Sequence, residues 1–158
     1  MKKFFSLMVA AIVCVLMSAC ASAVDKKCGE VADAMGAQNW PQAVQLLNEA
    51  YAMKGEASAS NLADMCVGYQ VLVNMAAPDN ATRLEFAQKV VELYKSAMAK
   101  DAAAANKIFK KSTLDMASIS SQTEQVIPQL EAAVAAESSA AAPAEEEEAT
   151  EEEYVVEE

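Results

Sequence analysis

Ser58-Ala59-Ser60-Asn61-Leu62-Ala63-Asp64-Met65-Cys66-Val67-Gly68-Tyr69-Gln70-Val71-Leu72-Val73-Asn74-Met75-Ala76 carries the plainest fold signal in the chain. Leu62, Met65, Cys66, Tyr69, Leu72, Val73 and Ala76 recur at steps of three and four, the spacing that lines up one face of an α-helix. Ser58 or Ser60 supplies an N-cap. Pro78-Asp79-Asn80 stops this helix and caps the next, because proline lacks the amide hydrogen and aspartate accepts from the exposed first-turn N–H groups.

The same punctuation extends in both directions. Upstream, Asp25 is expected to cap a first helix with Cys28, Val31 and Met35 on one face, and Gly36 and Asn39 break it. Trp40-Pro41 opens a second helix whose inner face is Trp40, Ala43, Val44, Leu47, Ala50 and Tyr51, and Lys54-Gly55 ends it. Downstream, a fourth helix runs to about Lys100. One of its rows holds Leu84, Ala87, Val91, Tyr94 and Met98, and a second holds Phe86, Val90, Leu93 and Ala97. Two rows make a wide apolar face, which places this helix centrally.

Asp101 is expected to cap a fifth segment. There Ala105, Phe109, Ser112, Met116, Ile119, Thr123, Val126, Leu130 and Ala133 alternate steps of four and three, a heptad repeat interrupted by two polar residues. A long helix lying on a bundle fits that pattern better than a free coiled coil, and Pro128 is expected to kink or divide it. The fold expected is all-α, a bundle of about five antiparallel helices forming an array of helical hairpins. Composition agrees: 34 of 158 residues are alanine, and none of the 4 glycines falls after Gly68.

Residues 1–23 read as a secretory signal. Lys2 and Lys3 precede an uncharged apolar run from Phe4 to Met17, too short for the ~20 residues of a spanning helix. Two cleavage patterns overlap. Ala21-Ser22-Ala23 is an A-x-A site that leaves Val24 first, whereas Leu16-Met17-Ser18-Ala19-Cys20 resembles a bacterial lipobox, with methionine where leucine is usual. The lipobox resemblance implies lipidation of Cys20 and a membrane anchor. The chain is therefore expected to be exported, to the periplasm or as a membrane-anchored lipoprotein.

Export colours the reading of the remaining cysteines. Cys28 and Cys66 make an even pair in a compartment where disulfides persist, and both fall on apolar helix faces. A bridge between them is expected, contributing roughly 4 kcal/mol in the chain-entropy account.

Charge is unevenly spread. Residues 24–144 hold 10 cationic and 14 anionic side chains, while residues 145–158 alone hold nine glutamates. Residues 138–158 are thus expected to form a disordered acidic tail after a helical domain over 24–137. Solubility is the simpler role for that tail. Its embedded Tyr154-Val155-Val156 triplet also suits strand addition to a partner's sheet edge.

Chemistry is sparse. The chain has no histidine, which removes imidazole bases and histidine-ligated metals, and its net charge of −11 disfavours nucleic acid. Asp33, Asp64, Glu85, Glu92, Asp101 and Asp115 read as caps or solvated faces. Asn80-Ala81-Thr82 matches a glycosylation sequon but sits at a helix start. No phosphate loop or nucleophile elbow is present, and no enzyme, cofactor or metal is expected.

Trp40-Pro41-Gln42-Ala43, followed by Leu47 and Ala50, resembles the second helix of a tetratricopeptide repeat. That resemblance covers about 20 residues and implies antiparallel helical hairpins and protein binding. The function expected is a non-enzymatic adaptor for another envelope protein, with Trp40 and Tyr51 as candidate contacts. The alternative is a carrier of a small apolar ligand or lipid, held among Met35, Met65, Tyr69 and Phe86.

Overall fold

The computed structural model describes residues 22–140, so residues 1–21 of the expected signal segment, Cys20 among them, and residues 141–158 lie outside the described residues. Five helices follow one another: α1 (Ala23–Gly36), α2 (Trp40–Ala52), α3 (Ala59–Met75), α4 (Asn80–Lys111) and α5 (Met116–Ala140). No strand occurs among the described residues. The first three lie close to their expected places, and each start has a local cause.

Ser22, one turn earlier than expected, caps α1. Its hydroxyl accepts from the Asp25 N–H at 3.1 Å, and the Asp25 carboxylate accepts from the Ser22 N–H at 2.8 Å. Asp25 is thus the third helical residue of a reciprocal capping box rather than the cap itself. Ser58 and Asn61 repeat the device at α3. Asp79 caps α4 by accepting from the Thr82 N–H at 2.7 Å, which leaves the sequon residue Asn80 free to donate to Glu137 of α5 at 2.6 Å.

The expected cap at Asp101 is present inside α4. Its backbone is extended (φ −162°, ψ 98°), and its carboxylate accepts from the N–H groups of Ala103 and Ala104, each at 3.0 Å. The single long segment expected from there to Ala133 is corrected. The chain turns between Lys111 and Met116, with Ser112 fully buried as the C-cap and Thr113 in the left-handed region at φ 59°. The seam serine is a turn residue whose hydroxyl donates to the Phe109 carbonyl at 2.7 Å. Asp115 then accepts from the Ser118 N–H at 3.2 Å and starts α5. Pro128 falls inside α5 without ending it, and the helix extends to Ala140, past the boundary expected at 137.

The centre of the bundle is α3, not α4. Beyond its expected stripe it buries Ala59, Ala63, Val67 and Gly68, because α1 and α2 cover one side and α4 the other. Gly68 permits that closeness: a Cβ there would meet Leu47 Cδ2 of α2 at 3.1 Å. Both expected rows of α4 face inward. Phe86, Val90, Leu93 and Ala97 are buried with Ala87 and Val91, while Leu84, Tyr94 and Met98 are half-buried. Only α4 packs extensively on α5, of which Met116 and Ser120 alone are buried.

Candidate functional site

Two regions depart from simple core packing: a polar knot between α1 and α3, and a cleft where α3, α4 and α5 meet.

In the knot, Asn61 is buried and donates from Nδ2 to Asp25 Oδ1 at 2.6 Å, tying the two capping boxes together. That bond holds the Asp25 carboxyl below its ordinary range, with the Ser22 bonds adding to the effect against partial burial. Cys28 lies beside it. Burial first, then the neighbouring charges of Asp64 and Asp25, push its thiol up to about 12. Asp64 is not the solvated carboxylate expected. Burial drives its carboxyl up to about 8 against the attraction of Lys111, and its Oδ1 is enclosed with no hydrogen-bond partner among the described residues.

The expected disulfide is overturned here. Cys28 and Cys66 are both buried and both free. Cys28 faces the Asp25–Asn61–Asp64 knot, whereas Cys66 turns to α4 and donates to the Val90 carbonyl at 3.3 Å. Lying on apolar faces did not make the two thiols face each other. Burial also raises the Cys66 thiol far above its ordinary range, so both are inert small hydrophobes rather than nucleophiles.

Trp40 and Tyr51 are half-buried and sit at opposite ends of α2, about 16 Å apart at 1.5 Å per residue. They do not form one patch. Tyr51 is engaged within the chain: its hydroxyl donates to Glu92, Lys54 donates to both, and its ring meets Tyr69 edge-on at 5.9 Å. Lys89 lies over both rings, 4.9 Å from Tyr51 and 5.0 Å from Tyr69, and donates to Asn48 at 2.9 Å. This network latches α2 to α3 and α4, a packing role for Tyr51, a residue expected to meet a partner.

Met35, Met65, Tyr69 and Phe86 are filled core, each no more than 2% exposed, and none of them lines either of the clefts described here. The first cleft encloses about 240 Å³ between α3, α4 and α5. Val73, Ala87, Ile119, Val126 and Leu130 form its apolar wall, and Gln70, Arg83, Gln122 and Thr123 its polar part. Gln70 Oε1 is buried with no hydrogen-bond partner among the described residues, and Val126 is 43% exposed at the rim. The second cleft, about 220 Å³, lies at the turn between α4 and α5 beside Lys110.

The heptad pattern pointed to Ile119, Val126 and Leu130. Nothing in the sequence singled out Gln70, Arg83 or Gln122, which read as ordinary polar positions until α5 is laid across α3 and α4. Neither cleft is lined by Asp25, Cys28 or Asp64. Among the described residues no group of three or more acids or cysteines is placed to hold a metal, and no helix is long and apolar enough to cross a membrane. No protein-family model, curated protein or solved structure matches this chain.

Proposed function

We propose that this is a non-enzymatic cell-envelope protein that acts by binding another envelope protein through the cleft between α3, α4 and α5. The observation that carries the reading is Gln70 of the cleft wall, whose Oε1 is buried with no donor among the described residues, beside the apolar side chains of Val73, Ile119 and Leu130. An unmet acceptor costs about 1–3 kcal/mol, which a guest that brings an N–H recovers on binding. The fitting guest is a peptide segment with apolar side chains against Val73, Ile119 and Leu130, an amide for Gln70 and a carboxylate for the exposed Arg83.

Size favours a peptide over an enclosed ligand. At about 240 Å³ the cleft falls short of the ~300–1,000 Å³ typical of small-molecule pockets. Met35, Met65, Tyr69 and Phe86, the residues expected to line a carrier's pocket, pack as filled core, which favours the binding reading. Export, and a lipid anchor at Cys20, belong to this proposal through the signal-like segment. They are tested by mass spectrometry of the mature N-terminus, and an unmodified start at Val24 removes the anchor.

Photo-crosslinking tests the cleft. A benzophenone side chain at Val126 is expected to give a defined adduct in native envelopes, and the same group at exposed Ala99 is not. Leu130→Glu should abolish the Val126 adduct with helicity retained. Equal adducts from both positions, or none from Val126, overturn the reading.

A further inference from the structure

The C-terminal turns of α4 present Lys107, Lys110 and Lys111 at positions i, i+3 and i+4, so the three amines share one face, and all three residues are exposed. Most of the other lysines are engaged, Lys100 by the Ala57 carbonyl. Lys27, Lys54, Lys89 and Lys95 form the ion pairs found among the described residues, and none of those pairs includes this trio. Lys110 and Lys111 suit the negative end of the helix dipole, but that does not explain the cleft beside them.

The cleft of about 220 Å³ at Lys110 is walled by Tyr94 and Phe109, whose rings stack at 5.5 Å, and by Leu114 and Met116. Its volume is about seven times a water's share of the liquid, room for a side chain the size of tyrosine. Asp115 also lines it, with its carboxylate engaged by Ser118. A cleft with an aromatic and aliphatic wall, beside three lysines that form no ion pair among the described residues, fits a segment that joins glutamates to an aromatic residue.

This chain contains one such segment. Residues 145–158 hold nine glutamates and, within them, Tyr154-Val155-Val156. We propose that this segment folds back on its own chain, its glutamates meeting Lys107, Lys110 and Lys111 and residues 154–156 entering the cleft at Tyr94 and Phe109. The reach is sufficient. Met116 lines the cleft and Ala140 ends α5, a run of about 36 Å at 1.5 Å per residue. Fourteen residue steps lead from Ala140 to Tyr154 and span up to about 46 Å when extended, enough to return along the helix. The contact is independent of the partner-binding cleft on α3, α4 and α5.

Carbodiimide coupling, which joins an amine to a neighbouring carboxylate without a spacer, tests this on the full chain, with an equal mixture of light- and heavy-isotope protein separating links within a chain from links between copies. Links from residues 145–158 are expected at Lys107, Lys110 and Lys111, within one chain, and suppressed in 0.5 M salt, where the Debye length is about 4 Å. Lys107→Glu with Lys110→Glu, which spares the lysine beside Asp64, should reduce the links at Lys111 about tenfold, as the loss and reversal of two exposed charge contacts implies. Tyr154→Ala should reduce them several-fold at unchanged tail charge. Links spread over all exposed lysines, links mainly between light and heavy copies, or indifference to Tyr154→Ala would each overturn the proposal. So would binding of Lys107, Lys110 and Lys111 to anionic phospholipid vesicles undiminished by the tail.

Discussion

Replacing Asp64 with asparagine keeps the size of a half-buried side chain and removes its ionisation. Burial lifts the Asp64 carboxyl from 3.8 to about 8, so between those values the folded chain holds a proton that the unfolded chain has released. Stability must then fall as pH rises through that window, since the unfolded state binds fewer protons. At pH 7 the unfolded chain gains over the 3.2 units between 3.8 and 7, about 4 kcal/mol at 1.36 kcal/mol per unit. At pH 5 the same reasoning leaves about 2 kcal/mol, and below pH 4 almost nothing. Asp64→Asn should therefore stabilise the protein by about 2–4 kcal/mol at pH 7, with little effect near pH 4. Carboxylates held low by their partners, such as Asp25 and Glu92, contribute the opposite slope at acid pH, but they are common to both proteins and cancel in the difference. Urea unfolding followed by circular dichroism at half-unit steps from pH 4 to 8.5 measures that difference. Parallel profiles for the two proteins, or a variant less stable at pH 8 than at pH 4 relative to its parent, would refute a buried, protonated Asp64.

Four further outcomes are expected. Gly68→Val should destabilise by about 1–3 kcal/mol in denaturant unfolding, because the added carbons press on the fully buried Leu47 where even a Cβ stands 3.1 Å from it. Asp101→Ala should cost about 1 kcal/mol and lower helicity, since it strips the acceptor from two N–H groups at the break inside α4. Thr113→Asn should stabilise by about 0.5–1 kcal/mol, a β-branched residue at φ 59° being replaced by one that tolerates that region. In folded protein at pH 8, Cys28 and Cys66 should both resist alkylation and then react fully in denaturant, and peptide mapping that recovers them joined would contradict the free thiols.

Helix positions were legible wherever a local interaction decides them. Ser58, Asp79 and Asp101 act through hydrogen bonds within four residues, so their effect can be read without knowing what lies across the bundle. Periodicity likewise marked which face of each helix is apolar, and of those positions on α3 and α4 most are buried while Val73, Ala76, Leu84, Tyr94 and Met98 are half-buried. The turn at Ser112 was missed because a serine on a heptad seam looks the same whether the helix continues or ends. Its resolution depended on Ser112 being buried against the end of α4.

Who faces whom is a different kind of information. Each helix of an antiparallel bundle can be rotated or shifted along its neighbour with its own apolar stripe unchanged, and the choice rests on side-chain fit between residues far apart in the chain. That choice turned Cys28 toward Asp25 and Asn61 but Cys66 toward Val90, buried one carboxylate among six that read alike, and drew Tyr51 into a latch with Glu92 and Lys54. It also laid the lightly packed α5 over Gln70 and Arg83, making a cleft from residues with no common signature. The sequence by itself determined where the chain is helical and which sides avoid water, since both follow from short-range backbone chemistry and from hydrophobicity. Only the tertiary structure decided which polar groups are stranded inside and which surfaces meet, because desolvation and shape complementarity exist only once distant segments are packed together.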